Sequence, residues 1–279
     1  MKKSLRQLGI GRDRPTFIIA EAGINHNGDI RVAKRLIDAA KKAGASAIKF
    51  QTYNTEKRVK KDNPVCGILK QCELSIEQQR ELKKYADRAK ILFFSTPFDH
   101  ESVAGLELLE TPLLKVASFD VVNLALLARI AQSKRPVIIS RGMASEKELD
   151  AALAIFKKKR VDYAILHCIS AYPTQKRDVN LKAIASLMER YDVPVGYSDH
   201  TLDIDAAVYA VVAGARILEK HFTLDKKMKG PDQALSADPK EFALLVKRVR
   251  EAEVMLGSGT LRMQAVEKAA KIYRRPSKM

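Results

Sequence analysis

Eight short runs of apolar, mostly β-branched or aromatic residues, each followed by an amphipathic segment, set the tightest limit on how this chain can fold. The runs are FIIAEA (17–22), AIKFQT (47–52), ILFFST (91–96), LLKVAS (113–118), PVIIS (136–140), YAILHC (163–168), VPVGYS (193–198) and ILEKHF (217–222). Between and after them the spacing predicts helices over 32–44, 76–89, 100–110, 123–133, 145–159, 180–191, 203–213 and 238–256. In the first of these Leu36, Ala39, Ala40 and Ala43 recur at helical spacing, and Gly44 supplies the stop. Stretches such as FIIA and PVIIS are apolar on both faces, as parallel strands covered by helices must be. Eight such units predict an α/β fold, a single-domain (β/α)8 TIM barrel over residues 1–256. A doubly wound sheet is the alternative, but AEAGINHNGD after the first run lacks the GxGxxG spacing of a nucleotide loop.

Two connections exceed the usual few residues. One is the 23-residue stretch YNTEKRVKKDNPVCGILKQCELS after the second run, and the other is LDKKMKGPDQALSA after the eighth. Both are expected to act as lids over one end of the barrel. Residues 257–279 form a basic, partly helical C-terminal extension.

No apolar run approaches the roughly 20 residues of a bilayer span, and the basic N-terminus has no apolar signal core. A cytoplasmic location and no membrane partner are expected. Three cysteines without CxxC spacing indicate neither a disulfide framework nor a cysteine zinc site. The net charge of +17 attracts anions. Its clusters, such as KKYADRAK at 83–90 and KKKR at 157–160, fall on the polar faces of several helices, and aromatic-basic interleaving is lacking. Nucleic acid is therefore not an expected partner.

The polar residues gather where the strands end, the place where barrels of this kind carry their chemistry. Glu21, Lys49, Gln51, Thr96, Lys115, Ser118, Ser140, Ser170, Tyr172, Ser198, Glu219 and all five histidines lie at or just beyond such ends. Burying Glu21, Lys49, Lys115 and Glu219 unpaired would cost several kcal/mol each, so they must meet one another, a metal or a charged ligand. His200 and His221 close successive strands and can share one ion, with Glu219 or Asp232 as a candidate third ligand. Two imidazoles, a carboxylate and open positions suit Mn, Fe, Co or Zn better than Mg. Lys49, Lys115 and the hydroxyls between them describe a pocket for phosphate and carboxylate. Glu21 is an acid or base, or the counterion of Lys49. His26 and His167 read as structural, and His100 as a helix cap.

The stretches FIIAEAGINHNGD, AIKFQTY, FFSTPFD, LLKVAS, ILHCISAYPT, VGYSDHT and ILEKHFT followed by GPD, in that order, resemble the sialic acid synthase family over about residues 9–259. That family includes legionaminic and pseudaminic acid synthases and spore-coat polysaccharide relatives. The resemblance implies metal-assisted condensation of phosphoenolpyruvate with an N-acetylated hexosamine such as N-acetylmannosamine, giving a nine-carbon 2-keto acid and phosphate. It implies Lys49, Thr96, Lys115, Ser118, Ser140, Ser170 and Ser198 around phosphoenolpyruvate, and Gln51 and Asp232 on the sugar. Glu21, Asp120 and Tyr172 are implied at the reacting centre. His200 and His221 are implied as ligands of a divalent metal, foremost Mn, with Mg, Co or Zn as the other expectations. A homo-oligomer is one expected assembly.

Asp120 stands where the family commonly has glutamate, Ser170 where several members have asparagine, and SRGM where STGM is common, placing Arg141 beside the pocket. Residues 257–279 resemble the linker to an antifreeze-like domain that relatives carry and these residues do not include. Two other readings stay open: another metal-dependent aldolase or transferase on the same barrel, and a non-catalytic barrel that binds phosphoenolpyruvate or sugar without turnover.

Overall fold

A computed structural model describes residues 3–275. Eight parallel strands close into a barrel in sequence order, with the eighth paired to the first. In chain order the elements are β1 (Phe17–Gly23), α1 (Ile30–Lys42), β2 (Ala47–Thr52), α2 (Thr55–Arg58), α3 (Cys66–Cys72), α4 (Ile76–Arg88), β3 (Leu92–Pro97), α5 (His100–Leu108), β4 (Leu114–Val116) and α6 (Leu124–Gln132). They continue with β5 (Val137–Ser140), α7 (Glu146–Lys158), β6 (Tyr163–Cys168), α8 (Lys182–Arg190), β7 (Val195–Asp199), α9 (Asp205–Val212), β8 (Ile217–His221) and α10 (Pro239–Leu256).

The two faces of each strand enter two different cores. Phe17, Ile19, Ala47, Phe94, Leu113, Ile138, Ala164, Leu166 and Ile217 fill the barrel interior, and Leu5 and Ile10 of the N-terminal segment pack with them. Their neighbours in sequence, among them Ile18, Ile48, Phe50, Phe93, Ile139 and Leu218, pack against the ring of helices. Each fully buried aliphatic or aromatic side chain contributes about 1.5–3 kcal/mol. The interior layer also forms the floor on which the polar strand ends stand.

The helices start where short polar side chains occupy the cap position. Asp29 accepts from the Arg31 amide ahead of α1, and Ser75, Ser145 and Asp238 form reciprocal capping boxes ahead of α4, α7 and α10. Ahead of α5 the cap is Asp99, whose carboxylate accepts from the Ser102 amide at 2.7 Å. His100, expected to cap, is the first residue of that helix instead.

Two further expectations are corrected. Strand β4 spans three residues, because the chain turns into a 3-10 turn at Ser118–Asp120 that lifts those side chains above the barrel edge. The 23 residues from Tyr53 to Ser75 carry α2 and α3, and Tyr53, Leu69 and Cys72 pack with Ile24 in a small separate cluster. Beyond α10, residues 257–275 are exposed and contain two 3-10 turns; residues 276–279 lie outside the described part. No helix among the described residues is long and apolar enough to cross a membrane.

Candidate active site

Strand register sets the level at which the charged side chains meet. Glu21 stands opposite Lys49 on one side and His221 on the other, Gln51 opposite Thr96, and Ser198 opposite Glu219. Because parallel neighbours in register point the same way, this level converges on one cavity of about 620 Å³ at the carboxyl ends of the strands.

At its base lies a four-membered charge cluster. The Lys49 ammonium is 3.0 Å from Glu21 and 3.5 Å from Glu219, whose other oxygen is 4.0 Å from the Lys115 ammonium. All four side chains are buried. Burial pushes Glu21 up to about 7 against the pull of Lys49. Glu219 resists its own burial because Lys115 and Lys49 hold it down to about 2. Burial lowers Lys115 from the ordinary lysine value, with Glu219 opposing. Glu219, the candidate third metal ligand, is thus occupied as the shared counterion of two lysines.

Hydroxyls line the wall above. Lys49 donates to Thr96 at 3.1 Å, Lys115 to Ser140 at 2.6 Å and to the Val116 carbonyl at 2.8 Å, and Ser198 to Glu219 at 3.1 Å. Ser118 lines the cavity and is 2.8 Å from Ser170, which stands behind it. The close approach of these two serines depends on Gly142, where a Cβ would sit 2.2 Å from that of Ser118.

Next to Ser198 and Glu219, at the ends of β7 and β8, the rings of His200 and His221 are 5.6 Å apart, centre to centre. Burial lowers both to about 4, so both are neutral imidazoles at physiological pH. His200 donates Nδ1–H to the Ile169 carbonyl at 2.7 Å, which leaves Nε2 as its free nitrogen. His221 Nδ1 is buried without a hydrogen-bond partner, 3.8 Å from Asp232. Two neutral imidazoles, one oriented from behind and one with a buried unpaired nitrogen, fit two ligands of a divalent ion. Among the described residues no three His, Cys, Asp or Glu side chains converge at metal-ligand spacing, so further positions would fall to water or substrate. Tyr172 stacks on His200 with ring centres 4.2 Å apart.

Toward the opening stand Gln51 and Asp232, with Asp120 half-buried behind the lining residue Phe119. Burial raises both carboxylic acids above their ordinary range. Arg141, expected beside this pocket, lines a separate cavity of about 280 Å³ with residues of α7 and α8. His26 and His167 serve the backbone: His26 Nδ1 accepts from the Gly28 amide, and His167 Nε2 meets the Val179 carbonyl at 2.8 Å.

Sequence reasoning missed two charged features. Arg58, at the end of α2, lines the cavity from the long β2–α4 connection. Its placement over two aromatic rings is the signal that the basic run TEKRVKK obscured. Lys220 and Asp199 form a buried ion pair at 2.7 Å on the helix-facing side of β7 and β8, where strict strand alternation from His221 and Ser198 locates them.

The model of the NeuB family matches residues 36–261. The chain is 42% identical over 268 residues to the N,N'-diacetyllegionaminic acid synthase of Legionella pneumophila, covering 89% of this chain and 75% of that protein. It is 39% identical over 274 residues to the human N-acetylneuraminate-9-phosphate synthase, covering 93% and 76% respectively. Among solved structures, the N-acetylneuraminic acid synthetase of Leptospira borgpetersenii serovar Hardjo-bovis, in complex with citrate, superposes with a TM-score of 0.91 at 44% identity, over 95% of this chain and 92% of that one.

Proposed function

Because the chain belongs to the NeuB family of enzymes, we propose that it condenses phosphoenolpyruvate with the open-chain aldehyde of an N-acetylated hexosamine, giving a nine-carbon 2-keto acid and phosphate. The observation that carries this reading is the lining of the cavity: two buried lysines and a row of hydroxyls together with two neutral imidazoles at the ends of β7 and β8. The lysines and hydroxyls suit the phosphate and carboxylate of a small enol ester, and the imidazoles would suit a divalent ion.

Lys49, Lys115, Thr96, Ser140 and Ser198, with Ser118 backed by Ser170, hold the phosphate and carboxylate of phosphoenolpyruvate. This fixes carbon 3 toward the histidine wall. His200 and His221 would hold a divalent ion, Mn by the family resemblance, which would supply Lewis-acid polarisation of the aldehyde. Carbon 3 forms the new bond to the aldehyde carbon, water adds its oxygen at carbon 2, and the bond from carbon 2 to the phosphate oxygen breaks. Glu21, pushed up to about 7 by burial, is ionised in some molecules and protonated in others at neutral pH, and the protonated form delivers its proton to the former aldehyde oxygen. Asp120 shares the proton traffic from behind the wall. Gln51, Tyr172 and Asp232 orient the sugar. Residues 1–256 form the catalytic unit, and 257–279 a basic extension.

Exchange of acceptors tests this reading. Turnover of phosphoenolpyruvate with N-acetylated hexosamines supports it, and turnover only with unrelated aldehydes assigns the chain to another reaction on the same barrel.

A further inference from the structure

Arg58 is a half-buried cation in the wall of the cavity, and the protein spends little of it. Its guanidinium carbon lies 3.7 Å from the ring centre of Phe98 and 4.6 Å from that of Tyr53, and Nη1 donates to Gln51 Oε1 at 2.9 Å. Among the described residues no carboxylate lies within ion-pair distance of it. Stacking on two rings fixes the plane of the guanidinium, so its remaining donors are presented at little entropic cost. The bond from Nη1 also fixes the carboxamide of Gln51.

Arg58 lines the cavity together with Gln51 and Asp232. The base of the cavity already holds both lysines, and the charges acting on Arg58 through space are Asp120, Asp232 and Glu21. A dianion bound beside Arg58 would meet one guanidinium against the carboxylates of Asp120 and Asp232, whereas a neutral oxygen acceptor satisfies the donors without added repulsion.

We infer that Arg58 is a specificity-determining residue that takes the neutral amide oxygen of the acceptor sugar, preorganised for it by Phe98 and Tyr53, and that the acceptor is not phosphorylated. The identity of the acceptor rests on the condensation reading, so the test avoids turnover. N-acetylmannosaminitol keeps the amide and hydroxyls of the sugar and lacks the aldehyde that condenses. It is titrated calorimetrically into wild type, Arg58→Lys and Arg58→Met, each with phosphoenolpyruvate and Mn present, alongside mannitol and the 6-phosphate of the alditol.

Loss of one charged hydrogen bond predicts a Kd at least about tenfold higher in Arg58→Met and partial recovery in Arg58→Lys. The Kd for phosphoenolpyruvate stays within about twofold of wild type, since a contact to the sugar is all that is removed. Mannitol distinguishes none of the three, and the 6-phosphate binds no tighter than its parent. Phe98→Leu, which keeps the cation and loosens its seat, weakens the alditol by about threefold. Thermal melts check that each variant is folded, and Arg58→Lys and Phe98→Leu carry the test if Arg58→Met is not. The inference is overturned by an unchanged Kd in the folded variants, by no binding of the alditol to wild type, by an equal loss of phosphoenolpyruvate affinity, or by tighter, Arg58-dependent binding of the 6-phosphate. Failure of the condensation reading shows separately, as no phosphate release by wild type from phosphoenolpyruvate and N-acetylmannosamine.

Discussion

His200 and His221 end neighbouring strands with their ring centres 5.6 Å apart, and burial lowers both imidazoles to about 4. A pair held neutral in this way is ready to bind an ion without first losing protons. Replacing either by alanine is expected to lower metal-dependent turnover on the order of a hundredfold or more, the scale of losing a Lewis acid worth several kcal/mol. Calorimetric titration of Mn should show the same loss, while thermal melts show the barrel intact. Full activity in both variants removes the metal from these residues.

Lys115 donates to Ser140 and faces Glu219, and no exposed lysine could substitute for it at the cavity floor. Lys115→Met should weaken phosphoenolpyruvate binding by roughly 2 kcal/mol, about thirtyfold in Kd. A change below the error of the titration would move the anion elsewhere.

The eight strands were legible because parallel strands buried on both faces read as continuous apolar runs, and the helices because Asp29, Ser75, Ser145 and Asp238 mark their starts. The charges in those strands were legible for the same reason: Lys49 or Glu219 stands out among Ile, Phe and Leu. Arg58 was not, since a cation among Lys57, Lys60 and Lys61 looks like solvated surface until Phe98, 40 residues away in sequence, is brought beneath it. Arg141 misled in the opposite direction. Adjacency to Ser140 suggested the pocket, but strand alternation sends the next side chain away from it.

His26, His200 and His221 are each lowered to about 4 by burial. Between about 6.5 and 4 the unfolded chain therefore takes up protons that the folded protein refuses. Stability present above 6.5 is lost as pH falls through this window, at up to about 1.4 kcal/mol per pH unit for each histidine. Melts of the protein without added metal should show a steadily falling Tm from pH 6.5 to 4. His26→Asn, outside the cavity lining, should flatten that slope; an unchanged slope denies the buried neutral state of His26.

Gly196 lets β7 and β8 approach, since a Cβ there would lie 2.3 Å from the Ile217 carbonyl oxygen and 2.6 Å from Leu166. Two of the cavity walls, Ser198 and His221, hang from these strands. Gly196→Ala should destabilise the fold by about 1–3 kcal/mol or more, as overpacking does. Urea unfolding measures it, and a neutral result would mean that the barrel closes less tightly than the structure has it.

The most direct measurement is phosphate release from phosphoenolpyruvate with Mn and a panel of N-acetylated hexosamines, with the carbon product followed by mass spectrometry. The predicted result is release that requires an added hexosamine and yields one nine-carbon 2-keto acid for each phosphate. No release with any acceptor, or release at the same rate without one, would contradict it.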